Sequence, residues 1–260
     1  DVVLLDNDFA HLREVVNQGR KVVNNTQRTA ILFLMKTICI ASLAFFLIPF
    51  HRGQMYYTIE DIYLVQTAVM AIGGFLLSLE PSKKPIVGSF QKNVYLKALA
   101  AGIFLLIASI IPPLLEITGV IDHSLVSGMI SVMEFLAGFI VVICLCMPMN
   151  KYRVLAILAI FGSALILACA IPRWYVGGQA ISLSDIFSGR LSHEFFQPWN
   201  APIIQDMFHS PAVWITFGAF VLLGAPGFFF LHRFIDIKLN RDLELEYRRT
   251  MEDRERNRLR

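Results

Sequence analysis

Asp1-Val-Val-Leu-Leu-Asp-Asn-Asp-Phe9 opens the chain, a charged segment follows from His11 to Arg28, and at Thr29 the sequence turns apolar and stays so to Phe50. Val2 to Leu5 predicts a short buried strand, Asp6 to Asp8 a turn and helix cap, and His11 to Arg28 a helix that runs on into the apolar stretch. A lone strand leaves its backbone donors and acceptors without partners, so it must belong to a sheet. No other strand is legible downstream, and the expectation is a sheet whose remaining strands precede Asp1.

Composition places the rest in a bilayer. Of 260 residues 56% are apolar and 17% charged, and the mean hydropathy is +0.60, values of a membrane protein. A net charge of +3, without basic runs interleaved with aromatics, excludes nucleic acid as a partner. Cys39, Cys144, Cys146 and Cys169 lie in apolar stretches and read as packing residues. The first two dozen residues hold several acids and no signal-peptide pattern, so the amino terminus is expected in the cytoplasm.

Six stretches have the length and polarity of spans, at 29–50, 62–79, 94–115, 125–147, 154–171 and 212–231. Pro49, Pro81, Pro112-Pro113, Pro148 and Pro172 fall at or near their ends. Lys83, Lys84, Lys92 and Lys97 in the second connection, and Lys151 and Arg153 in the fourth, predict cytoplasmic loops, which puts both termini in the cytoplasm. The long outer connection from Arg173 to Ser210 predicts short interfacial helices or irregular structure, with Trp174 and Trp199 at headgroup level. Residues 233–260 mix nine Arg/Lys with seven Asp/Glu, including Glu244 with Arg248 and Glu252 with Arg256 at helical spacing, and read as a solvated helical tail. The fold class is therefore an all-α polytopic membrane protein: residues 1–28 a strand, a turn and a charged helix, 29–232 a six-helix membrane domain, and 233–260 the tail.

The opening segment resembles the end of the phosphorylation domain of P-type ATPases, a HAD-like α/β domain that passes through a stalk into the fifth transmembrane helix. The resemblance rests on Asp1 to Phe9, Val16-Asn-Gln-Gly19-Arg20, Asn24-Asn25 and Arg28, and on Leu79-Glu80-Pro81, which is similar to the end of the family's sixth transmembrane helix. Phe33-Leu-Met-Lys-Thr37 is similar to the start of the fifth helix in bacterial cation-translocating members. The resemblance implies a carboxy-terminal half, a bacterial plasma-membrane location, a coupling stalk through Gly19, Arg20, Asn25 and Arg28, and an amino-terminal head of the same pump as partner. It also implies a transported cation, with ATP and Mg2+ bound in the intact parent. The family's Asp-Lys-Thr-Gly-Thr, Thr-Gly-Glu and Thr-Gly-Asp-Gly-x-Asn-Asp are absent from these residues. Phosphoryl transfer needs a positioned nucleophile and magnesium ligands, so no residue here is assigned to catalysis.

Ionisable groups inside a bilayer cost roughly 2.5–3.5 kcal/mol at a helix centre, and each asks for a reason. Lys36 lies about 10 Å into the first span by helical rise. It either snorkels to the headgroups or supplies a fixed positive charge beside a transport path, as a counter-ion or a contact to membrane lipid. Glu134, near the middle of the fourth span, either binds the cation or is protonated and hydrogen-bonded to another helix. Gln66, Thr67 and the pair Gly73-Gly74 in the second span read either as close helix packing or as a loosened helix whose carbonyls line a cavity. Counting back from Pro81, the family's calcium and sodium pumps carry a carboxylate where Met70 stands and an Asn where Gln66 stands, a departure from a calcium-pump site. Cys144-Leu-Cys146 lacks the central proline of heavy-metal pumps and reads as packing, no histidine shows metal-ligand spacing, and Glu80 reads as a helix-end residue rather than a gate.

Two functions are thus expected: the carboxy-terminal membrane half of an ATP-driven pump working by alternating access, or a free-standing six-helix transporter or structural subunit without ATPase activity. A lipid cargo, with Lys36 at the headgroup, is the narrower variant of the first.

Overall fold

The computed structural model describes residues 12–47, 65–80, 89–175 and 210–258. Among these every regular element is helical. The expected strand Val2–Leu5, the turn after it and the connection at 176–209 lie outside the described residues, as does Pro81. The elements are α1 (Leu12–Leu47), α2 (Val65–Ser78, π-helical over Val65–Gly73), α3 (Phe90–Ile117), α4 (His123–Leu145) and α5 (Lys151–Tyr175). The last, α6, is three contiguous pieces: Pro211–Ala219, the π-helical Phe220–Gly224, and Ala225–Arg258. Among the described residues four stretches are long and apolar enough to cross a membrane: Glu14–Ala44, Phe90–Ile117, Gly128–Leu145 and Pro211–Arg241; Val65–Ser78 is a shorter apolar helix.

The 36 residues of α1 form one unbroken helix, about 54 Å long at 1.5 Å per residue. A hydrocarbon core is about 30 Å thick, so α1 carries some four turns beyond it. Its buried residues Ile31, Met35, Cys39 and Leu43 recur every four positions and form one ridge. That ridge packs mainly against α3, whose facing positions Ala98, Ala101, Gly102 and Ser109 are small and buried. The approach is closest at Gly102, where a Cβ would stand 2.7 Å from Ile38 Cγ2 and 3.0 Å from the Met35 carbonyl oxygen. Small residues let helix backbones meet where a common apolar solvent leaves little else to drive association.

α2 sits between α1, α4 and α5. Gly138 of α4 admits Val65, and Gly73 lies against Ile160 of α5. Pro112-Pro113 sit in the last two turns of α3, and the helix continues to Ile117. It ends at Thr118-Gly119, with Gly119 at φ +73°, where Val120 N–H donates to the Leu115 carbonyl and Gly119 N–H to that of Glu116, a Schellman stop. Along α6, Phe104 of α3 is stacked between Phe220 and Phe228, at centroid distances of 5.2 and 4.8 Å. The outward residues Ile215, Leu222, Leu223 and Phe230 are each at least 70% exposed, the surface of a helix whose solvent is lipid rather than water.

Two glycine substitutions separate packing from propensity. Gly102→Val should lower stability to unfolding in detergent micelles by about 1–3 kcal/mol, because it forces α1 away from α3. Gly19→Ala, whose Cβ would meet nothing within 4 Å, should raise it by about 0.5–1 kcal/mol.

Candidate functional site

Polar residues inside this bundle gather in two places. The first is a buried ionic hub where α1, α2 and α5 meet. Glu80, two residues past α2, is 1% exposed, and Arg153, near the start of α5, is 3% exposed. Arg153 Nε donates to Glu80 Oε1 at 2.7 Å, Asn150 Nδ2 donates to the same oxygen at 3.0 Å, and Arg28 Nη1 of α1 pairs with Oε2. Asn25, one helical turn before Arg28, donates its amide to the carbonyls of Ser78 at 2.8 Å and Glu80 at 2.7 Å, bonds that the end of a helix leaves open. Asn150 also caps α5, its Oδ1 accepting from Arg153 N–H at 2.8 Å. Arg153 spends a further arm on the carbonyls of Cys146 and Pro148 at the end of α4, at 3.0 and 2.7 Å, and the Tyr152 hydroxyl donates to the Leu76 carbonyl at 2.6 Å. Glu80 therefore does more than end its helix: one carboxylate ties α1, α2 and α5 together.

Burial works to raise the Glu80 carboxyl. The hydrogen bond from Arg153, the charges of Arg28 and Arg153 and the Asn150 amide outweigh it and hold the group below its ordinary 4.5.

The second place is a polar layer among the apolar helices that runs from an exposed contact at Lys36 and Gln66 to a buried one at Ser109 and Glu134. Lys36 Nζ of α1 donates to Gln66 Oε1 of α2. One turn further along α1, the Cys39 thiol lies 3.7 Å from Ser109 Oγ of α3, which is 2.5 Å from Glu134 Oε1 of α4. Ser109 Oγ also lies 2.9 Å from the Leu105 carbonyl. A serine hydroxyl has one hydrogen and can donate to only one of these two acceptors at a time. Glu134 is fully buried.

Four helices thus bring together Lys36, Gln66 and Glu134, three of the residues singled out from sequence. The other three belong to α2: Thr67 is half-buried in its π-helical part, a Cβ at Gly73 would stand 3.0 Å from Ile160 Cδ1, and the Gly74 carbonyl accepts from Thr29 Oγ1 at 3.4 Å. A π-helix of nine residues is rare and marks helices shaped for something other than stability. Of the stalk positions, Asn25 and Arg28 enter the hub, whereas Gly19 faces open space and Arg20 lies two turns away from it along α1. Asn150, Tyr152 and Arg153 were not singled out as site residues. The available signal was Glu80 itself, an acid at a membrane edge in need of a counter-charge, and an Asn three residues before an Arg at a helix start. No group of three or more metal-ligating side chains occurs among the described residues.

Comparison with known proteins gives partial relatives. The chain is 33% identical over 119 residues to "Calcium-transporting ATPase CtpE" of Mycobacterium tuberculosis, a stretch that is 42% of this chain and 15% of that protein. It is 33% identical over 111 residues to the protein of the same name from Mycolicibacterium smegmatis, 39% of this chain and 14% of that protein. It is 28% identical over 171 residues to "Probable cation-transporting ATPase exp7" of Streptococcus pneumoniae, 60% of this chain and 21% of that protein. The matched stretch thus spans about a fifth or less of the length of these curated relatives. No family model and no solved structure matches. The chain is related, over part of its length, to ATPases named for cation transport, and its apolar helices make it an integral membrane protein.

Removing the hub's carboxylate should be costly. Glu80→Gln leaves two arginines with an uncompensated charge and should destabilise by about 3–5 kcal/mol, while Glu80→Leu with Arg153→Met should recover part of that loss. Because the folded group titrates below its unfolded value, its contribution is fully present above pH 4.5 and is lost as pH falls through the folded pKa. Melting temperatures of wild type and Glu80→Gln should therefore differ at neutral pH and converge in acid.

Proposed function

We propose that this chain is the carboxy-terminal membrane part of a P-type pump that moves a cation by alternating access. In this reading it has six spans with both termini in the cytoplasm of a bacterial plasma membrane, and residues 1–28 link it to a HAD-like head. ATP and Mg2+ belong to that head, and none of the residues here is assigned to them. The chain's own contribution is the cation path and the lever that works it. The observation that carries the reading is the continuity of α1. One unbroken helix bears Asn25 and Arg28 in the hub and Lys36 and Cys39 in the polar layer. A tilt imposed on its first four turns moves both together, which is what coupling of phosphorylation to transport requires. The names of the partial relatives favour a cation as cargo over the alternative of a free-standing transporter without ATPase activity.

The polar layer supports definite roles. Lys36 holds Gln66 in the state described, and a fixed ammonium beside a cation path serves as counter-charge until a cation arrives. With Glu134 carrying its proton on Oε1, that proton is donated to Ser109 Oγ, and the serine's own hydrogen goes to the Leu105 carbonyl; one hydrogen then serves each contact. Loss of the Glu134 proton leaves a carboxylate to which a cation or Lys36 responds. The π-helical turn over Val65–Gly73 shifts backbone carbonyls out of the α-helical register, supplying oxygen ligands next to Gln66 and Thr67.

In the intact protein, reconstituted in vesicles, ATP hydrolysis should rise with one member of a panel of Ca2+, Mn2+, Mg2+, K+ and Na+. Lys36→Ala and Glu134→Gln should each lower that cation-stimulated rate by about tenfold or more, equivalent to about 1.4 kcal/mol of barrier. Unchanged stimulation in both variants would remove the proposed path. ATP-independent ion movement by the chain alone would favour the free-standing transporter.

A further inference from the structure

At the end of the bundle that holds the hub, α1, α3, the end of α4 and α6 enclose a cavity of about 530 Å³. Its lining includes three full cations, Arg28, Lys97 and Arg233, against a single carboxylate, Asp236, which Lys97 Nζ engages at 2.6 Å and His232 Nδ1 at 3.5 Å. Arg28 shares the Glu80 carboxylate with Arg153. Two buried nitrogens of lining residues, Gln27 Nε2 and His232 Nε2, have no hydrogen-bond partner in the protein. The Gln27 amide is a donor, and buried donors are normally satisfied; His232 Nε2 carries a hydrogen only in the imidazolium form, because Nδ1 is turned to Asp236. The surplus positive charge makes an anion the ligand that would satisfy the amide.

Along the same two helices the character of the surface changes. An apolar crevice of about 500 Å³ runs between Ala100, Ile103 and Ile107 of α3 and Leu223, Gly227 and Leu231 of α6. Lys97 lies one turn before Ala100, and Arg233 two residues after Leu231. The seam is thus basic and polar at the membrane edge and apolar immediately deeper.

We propose that the α3–α6 seam is a binding site for an anionic phospholipid, its phosphate in the cavity beside Arg233, Gln27 and His232 and one acyl chain in the crevice. Arginine forks and a desolvated amide donor recognise phosphate oxygens, and basic residues at a membrane surface select anionic headgroups. A free phosphate has the same headgroup chemistry but nothing to place in the crevice. Arg28 belongs to both the cavity and the hub, so an occupied seam also steadies the base of α1. The site does not depend on the identity of the cargo or on the presence of a head.

The test uses the full chain extracted from bilayers of equal phosphatidylglycerol and phosphatidylcholine, with retained lipid counted by native mass spectrometry. Phosphatidylglycerol should be retained preferentially, and Arg233→Gln should lower its retention about fivefold. Gly227→Leu, at a position where a Cβ meets nothing within 4 Å, should fill the crevice and lower retention as well, whereas millimolar inorganic phosphate should displace little lipid. Equal retention of the two lipids, or retention unaltered by Arg233→Gln, would overturn the proposal. Displacement by inorganic phosphate with Gly227→Leu at the wild-type level would make the ligand a free phosphate and overturn it too. If Gly227→Leu does not fold, Arg233→Gln and the phosphate competition still decide.

Discussion

One carboxylate organises the base of this membrane protein. Glu80 accepts from Arg153 and Asn150 of the α5 start on one oxygen and pairs with Arg28 of α1 on the other, while Asn25 holds the carbonyls around it. A buried carboxylate with one partner is a poor bargain, because desolvation offsets the attraction. With both oxygens engaged and the nearby carbonyls satisfied, the same group fixes three helices at a common point. Everything on α1 above the hub is then positioned relative to α2 and α5, and the Lys36–Gln66 contact lies two turns along from Arg28.

The hub and the polar layer are two levels of one helix, which gives α1 its mechanical meaning. Between them runs the ridge of Ile31, Met35 and Cys39 against the small residues of α3, a contact so close that even a Cβ at Gly102 would collide with Ile38 and the Met35 carbonyl. Close-packed interfaces shift between discrete arrangements rather than deforming smoothly. The irregular partner is α2, whose π-helical part carries Gln66 and Thr67. A stiff lever beside a helix with an irregular backbone is a physical basis for moving a site without dismantling the bundle.

The sequence made some of this legible and hid the rest for identifiable reasons. The passage of a charged helix into an apolar one at Thr29 follows from hydropathy and from the lack of a breaker, and α1 is continuous there. Lys36 and Glu134 stood out because charge inside an apolar run is costly wherever it occurs. Arg153 did not, since counting Lys and Arg near span ends treats each as a water-facing loop residue, and this one is buried against Glu80, 73 positions earlier. The π-helix escaped because apolar composition does not reveal whether hydrogen bonds close at i+4 or i+5; Gly73-Gly74 was the only local hint. Pro112-Pro113 lie near the end of α3, which runs through them to Ile117. The α3–α6 seam depends on residues more than a hundred positions apart, and spacing along the chain carries no trace of it.

The central claim is that α1 couples a phosphorylated head to a cation path through the Glu80 hub. It is tested most directly by following phosphate incorporation from ATP into the intact protein, with and without the stimulating cation, in wild type and in Glu80→Gln. The account predicts a hydroxylamine-sensitive acyl phosphate whose level responds to the cation in wild type, and in Glu80→Gln an acyl phosphate that still forms but no longer responds. Absence of any acyl phosphate in the intact protein, or an identical cation response in the variant, would contradict it.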